Sequence, residues 1–370
     1  MHTLTIELMP DTPGTRHQLQ VLQFGPDQGP KATLQAALHA DEVPPMLVAQ
    51  ALRRQLLELE TQGQLLGRVQ LLPYANPIGL GQQLLGAHEG RFDLRDGTNF
   101  NRLHPDLGDT VGRTLQDRLG TDAAANVVLV RAALRQAVAD WPAAHAAQDL
   151  KKRLVQLAID SDVVLDLHCD SEAVMHLYAL TPQSTWAHEL GCLLGAHAVL
   201  LATESGDMPF DEACTRPWWL LQQRFAQHPL PLACFASTVE LRGQADTDHR
   251  QAEADATAIV EFLRRRGIVA GTAALLPPAL CEPTLLSSSE PITAPSAGVL
   301  VFHHQPGDRV EAGAVIADLV DASTGAVTPL RCQGAGVLYA RMATRWARPG
   351  QRVAKVAGTL LARTGKLLSP

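Results

Sequence analysis

Lys31-Ala32-Thr33-Leu34-Gln35-Ala36-Ala37-Leu38-His39-Ala40-Asp41-Glu42 is the stretch on which the fold turns. Its apolar part reads as a buried strand over residues 31–38, and Pro44-Pro45-Met46-Leu47-Val48 opens a helical pattern that extends to residue 59. Paired prolines suit the first turn of a helix, where a missing N–H leaves nothing unsatisfied. Asp41 is the expected N-cap. His39 and Glu42 sit at the switch from strand to helix, three residues apart, so both side chains can face one ion. One such pair is weak evidence on its own, because a histidine there serves equally well as a hydrogen-bonded core residue.

Working outward, the same kind of strand ending recurs. Val163-Val164-Leu165-Asp166-Leu167 runs into His168, residues 233–241 carry Thr238-Val239-Glu240-Leu241 at their end, and residues 69–74 lead to Asn76-Pro77. In a parallel α/β sheet the carboxyl ends of the strands share one edge, and ligands bind there. Residues remote along the chain can thus converge. Two imidazoles (His39, His168) and one carboxylate (Glu42) form a donor set for Zn²⁺, one ion per chain, with a position left open for water. Glu240 offers a second carboxylate to move protons. Asp166 and Asp170, two positions either side of His168, are each candidates to orient an imidazole.

Helical periodicity over 127–138, 151–157, 186–194, 218–227 and 251–266 alternates with these strands. The expected fold class is α/β, a mixed and mostly parallel sheet flanked by helices. The composition changes after Gly271, through Pro277-Pro278, Pro283 and Ser287-Ser288-Ser289. A weak repeat follows, with Ala297-Gly298-Val299-Leu300 before Pro306-Gly307-Asp308-Arg309-Val310 and Ala335-Gly336-Val337-Leu338 before Pro349-Gly350-Gln351-Arg352-Val353. The expected domains are a hydrolase domain over 1–275, a linker over 276–290 and a small all-β module over 291–370. That module resembles the barrel-sandwich fold of biotinyl and lipoyl domains. Its central hairpin, residues 320–327, has no lysine to modify, so a carrier role is not expected.

The 370 residues are 46% hydrophobic and 19% charged, ample for a large core. A net charge of −7 gives no reason to expect nucleic acid or an anionic membrane as partner. Six scattered cysteines without a CxxC pair read as reduced thiols. With neither a signal peptide nor an 18-residue apolar run in view, the expected location is the cytoplasm, with a small-molecule substrate. A homo-oligomer is left open.

The ordered set His39-x-x-Glu42, Asn76-Pro77, Asn101-Arg102, His168 and Thr238-Val239-Glu240 resembles the succinylglutamate desuccinylase/aspartoacylase family, within the zinc carboxypeptidase-like superfamily. The resemblance spans nearly the whole chain, C-terminal module included. It implies that His39, Glu42 and His168 ligate zinc and that Glu240 is the general base and acid. It also implies that Asn101 and Arg102 bind the substrate carboxylate, with Asn76 beside them, while an upstream arginine polarises the scissile carbonyl. Arg91 is preferred for that last role over Arg95. The reaction implied is hydrolysis of the amide bond of a small N-acyl amino acid. The chain departs from the family pattern at Ala40, where glycine is usual, and at Asn99-Phe100-Asn101-Arg102, where Asp-Leu-Asn-Arg is usual. Both departures bear on substrate choice.

Two alternatives stand beside this reading: a zinc carboxypeptidase acting on peptides, and a zinc-bound but catalytically silent binding protein. Arg264-Arg265-Arg266 is expected to serve its helix terminus. Trp218-Trp219, after Pro217 at an expected helix start, reads as core. His303-His304, within an expected strand, makes a poor chelate. Cys169 is expected on the strand face opposite His168.

Overall fold

A computed structural model describes residues 1–360 and 362–368; the last two positions of the expected β module lie outside them. The centre is a nine-stranded sheet in the order His2–Glu7, Gln18–Phe24, Arg68–Leu72, Lys31–Ala36, Val163–Asp170, Phe235–Gly243, His176–Leu180, Ala198–Ala202 and Thr284–Leu285. The pairs from Arg68–Leu72 across to Phe235–Gly243 are parallel, as are the two at the far edge. Antiparallel pairs close the near edge and join Phe235–Gly243 to His176–Leu180. The last short strand falls inside the stretch read as linker.

Alternation along the central strands makes two cores. Leu34, Leu165, Leu167 and Val239 pack beneath the helices Pro44–Thr61, Ser184–Leu194 and His249–Arg265. Val164, Ala236 and Val21 face the other way, beneath Ala123–Asp140, Ala146–Ala158 and Phe210–Arg224. Burying each such side chain is worth about 1.5–3 kcal/mol, so the sheet is held from both faces. The same period of two puts Asp166 and His168 on one face, and the parallel register sets Thr238 opposite Asp166 and Glu240 opposite His168.

Three local expectations need correction. The strand expected over 31–38 stops at Ala36, because Ala37 takes a left-handed backbone (φ 56°) that ends extension and redirects the chain toward His39. The helix after it is capped by Val43 with no side-chain bond, and Asp41 instead accepts from Gln244 Nε2 at 3.3 Å. The helix bearing Trp218 starts at Phe210, not after Pro217, which lies inside it. Phe210, Cys214, Trp218 and Leu221 form one buried stripe there, and that burial outweighs the hydrogen bond Pro217 cannot make.

The C-terminal strands form two antiparallel sheets around Ile292, Leu300, Ile316, Leu338 and Val356. The two repeat copies supply corresponding strands, Gly298–Phe302 in one sheet and Gly336–Arg341 in the other. The latter also pairs with Glu172–Ala173, which seats the module just beyond His168.

Candidate active site

His39, Glu42 and His168 are all buried, and the ligand atoms they offer lie within 4.8 Å of one another. Glu42 stands between the rings, with Oε1 2.9 Å from His39 Nδ1 and Oε2 2.8 Å from His168 Nδ1. The outer nitrogens are held from behind. Asn99 Oδ1 accepts from the Asn101 backbone N–H at 2.8 Å, which fixes that atom as oxygen, so His39 Nε2–H donates to it at 2.9 Å. His168 Nε2–H donates to Asp166 Oδ2 at 2.9 Å, and Gln35 Nε2 donates to the other oxygen of Asp166 at 2.9 Å. Both Nδ1 atoms therefore face Glu42 with the outer nitrogens fixed, as metal-ligating histidines need, and a bound cation would take the place of the proton on His168 Nδ1. Asp166 is thus the carboxylate that orients His168, while Asp170 pairs with Lys355.

Charge follows from this packing. Burial, then the Arg91 guanidinium, lowers the His39 pKa to about 4, so this ring is neutral. Burial also acts against protonating His168, but the Asp166 and Glu42 carboxylates outweigh it and raise its pKa well above the usual value. For Glu42 the two imidazoles overcome burial and hold the carboxyl well below its ordinary range. A buried N, N, O set whose outer nitrogens are already fixed suits a divalent cation, and zinc by ligand type.

Glu240 sits in register beside His168 and lines the same cavity. Burial, then the charges of Glu42 and Asp170, pushes its pKa up to about 8, and its Oε2 has no hydrogen-bond partner among the described residues. Arg91 Nη1 donates to Glu42 Oε1 at 3.0 Å and lies 3.1 Å from His39 Nδ1. Gly90 makes that approach possible, since a Cβ there would stand 2.1 Å from the Asp41 backbone nitrogen. Arg95 points elsewhere, toward Asp93, Asp11 and His145.

Asn101 and Arg102 are buried and line the cavity; Asn101 Nδ2 is 3.2 Å from His168 Nε2, and Arg102 Nη1 donates to the Asn101 carbonyl at 2.8 Å. Asn76 departs from expectation. It is fully buried, its Oδ1 accepts from Gly79 N and its Nδ2 donates to the Leu38 carbonyl, so it caps a short helix and braces the His39 loop. Cys169 does line the cavity, but burial and then the nearby carboxylates raise its thiol pKa, which disfavours the nucleophilic thiolate. His303 and His304 lie just past their strand and pair separately with Asp318 and Asp308.

No sequence motif pointed to Lys151. Its ammonium is buried under the loop and donates to the carbonyls of Asn99 and Arg102 at 3.0 and 2.6 Å, and burial lowers its pKa to about 8. Nor did any motif mark Arg341, Arg352 and Lys355, which the C-terminal module contributes to the cavity wall. Left-handed residues adjoin the site on four segments, at Ala37, Leu103, Asp207-Met208 and Arg242, each close to a residue of the site.

The model of the succinylglutamate desuccinylase/aspartoacylase catalytic domain matches residues 28–266, well over half of the chain. The protein belongs to this family. Among solved structures, a family member from Shewanella amazonensis is 26% identical, with a TM-score of 0.85 over 96% of this chain and 98% of that one. One from Shewanella frigidimarina is 23% identical, with a TM-score of 0.84 over 96% of each chain. A third, from Rhodobacter sphaeroides, shares the fold at 16% identity, with a TM-score of 0.66 over 96% and 94%. No curated protein shows a significant match. The family is one of deacylases, and no helix among the described residues is long and apolar enough to cross a membrane.

Proposed function

We propose that this family member is a zinc-dependent amidohydrolase that releases the acyl group from a small N-acyl amino acid. The observation that carries the reading is the buried His39–Glu42–His168 cluster with Glu240 in register beside it on the neighbouring strand. Zn²⁺ held by His39 Nδ1, Glu42 and His168 Nδ1 supplies, when bound, an acidified water and a Lewis acid for the scissile carbonyl.

This chain's own groups do the rest. Glu240 takes the proton of the attacking water and returns it to the leaving amine, from its place in register beside His168. Arg91 Nη1 donates to the oxygen that gains charge, at the edge of the cluster where it already lies. Arg102 presents a planar fork to the substrate carboxylate, with Asn101 and Lys151 fixing its loop. Asp166 and Asn99 hold the imidazoles in the tautomer that leaves Nδ1 free to bind metal.

The cavity measures about 260 Å³, and Arg341, Met342, Arg352 and Lys355 of the C-terminal module form part of its wall. Ligand sites run from about 300 to 1,000 Å³, so this one suits an amino-acid derivative better than a peptide. Glu240→Gln is the test. It is expected to retain zinc and lose turnover by at least 10²-fold, and full activity in that variant removes Glu240 from the role.

A further inference from the structure

Part of the cavity wall is acidic and plays no role in the steps above. It is built from Ser205 and the first turn of the Phe210–Arg224 helix, with Asp211, Glu212 and Thr215 lining the space. Asp211 lies in the field of Arg102 and His168. Glu212 lies in the field of Arg216, with no hydrogen bond between Glu212 Oε2 and that guanidinium. Arg216, the cation nearest it in sequence, is engaged by Asp106 and Glu204.

Glu212 is only 6% exposed, and its Oε1 accepts from the Ser205 backbone N–H at 2.7 Å. Its Oε2 has no hydrogen-bond partner among the described residues, and neither does Ser205 Oγ, in a residue 2% exposed. Buried polar atoms are nearly always paired, because leaving water without a partner is costly. Two unpaired oxygens from residues that line one stretch of the cavity wall, one of them a carboxyl oxygen, match a donor that arrives with the ligand. Burial and then Asp211 push the Glu212 pKa up to about 7, against the pull of the Ser205 hydrogen bond and of the Arg216 charge.

We propose that Glu212 Oε2 and Ser205 Oγ form a subsite for the side-chain ammonium of the substrate, so that the preferred substrate is an N-acylated diamino acid. This rests on the amidohydrolase reading and narrows it. Arg102 would hold one end of a zwitterionic substrate and Glu212 the other. Hydrogen bonds to charged groups are worth roughly 1.5–3 kcal/mol, or about 10- to 100-fold in affinity.

The experiment compares Nα-acyl-L-ornithine with Nα-acyl-L-norleucine, which replaces the ammonium by a methyl group of similar size, in acetyl and succinyl series. Binding to zinc-loaded Glu240→Gln protein is measured by calorimetry, and kcat/KM on the wild type. The ornithine derivative is expected to bind at least 10-fold tighter. Glu212→Gln should abolish that preference while leaving norleucine binding unchanged, and Ser205→Ala should reduce it. Equal affinity for the two ligands in unmutated Glu212 protein overturns the subsite without recourse to any Glu212 variant. So does a Glu212→Gln effect of equal size on both ligands. Hydrolysis of neither series, with no binding, sinks the amidohydrolase reading itself and the subsite with it.

Discussion

Lys355, on a strand of the C-terminal module, pairs with Asp170, two residues beyond His168 on the central strand of the sheet. Arg341 and Arg345 repeat the tie through Glu172, and a short antiparallel pairing joins Glu172–Ala173 to Gly336–Arg341. The module is thus fastened at the site's own edge, where its cations shape the cavity. Ion pairs that are partly buried couple more strongly than exposed ones. A double-mutant cycle of Lys355→Met and Asp170→Asn, read by chemical denaturation, should give a coupling of about 1–3 kcal/mol. Additive losses would show that the pair does not hold the module in place.

Asp166 contacts no expected metal position; it holds His168 Nε2 and is itself held by Gln35. Removing its charge should leave the fold intact and weaken the imidazole as a ligand. Asp166→Asn is expected to lower zinc affinity by about 10- to 100-fold, measured by competition with a chromogenic chelator. Unchanged affinity would assign Asp166 to packing alone.

Gly90 touches backbone rather than flexible side chains: a Cβ would meet the Ala40 carbonyl carbon at 2.6 Å as well as the Asp41 nitrogen. Gly90→Ala must therefore push Arg91 away from His39 and Glu42. Its kcat is expected to approach that of Arg91→Ala, a fall of about 10²–10³, with both variants still binding zinc. Near-normal turnover in Gly90→Ala would show that the loop can shift without consequence.

Glu212 gives stability a pH dependence whose sign follows from its raised pKa. Below about pH 4.5 the group is protonated folded or unfolded, and it contributes no difference. Between its ordinary value of 4.5 and about 7 the folded state keeps a proton that the unfolded chain has lost, so the carboxyl costs stability as pH rises. Glu212→Gln does not titrate. It should match the wild type at pH 4 and exceed it by up to about 3 kcal/mol at pH 8, as read from denaturant midpoints. A difference that does not change with pH would show that the carboxyl is not held protonated.

The reading from sequence succeeded where a local pattern carries its own physics. The apolar runs before His39 and His168 each mark a buried strand, Lys31–Ala36 and Val163–Asp170, and the i, i+3 spacing of His39 and Glu42 survives the turn between them. It failed where a side chain's partners lie on other segments. The family resemblance put Asn76 beside the substrate, yet both its polar atoms bind backbone. Pro217 looked like a helix start, since its ring disfavours a helix interior and nothing local reveals the buried stripe that overrides it.

The amino-acid sequence by itself determined the alternation of strands and helices, the donor types available for a cation, and the repeat that folds into two small sheets. These follow from periodicity and side-chain chemistry, which are properties of neighbours along the chain. Only the tertiary structure decided that Arg91 and not Arg95 reaches the cluster, that Lys151 props the Arg102 loop, and that Glu212 Oε2, in the cavity wall, has no hydrogen-bond partner among the described residues. Those facts depend on register between strands and on burial, and a charged residue reads the same in sequence whether water or a closed pocket surrounds it.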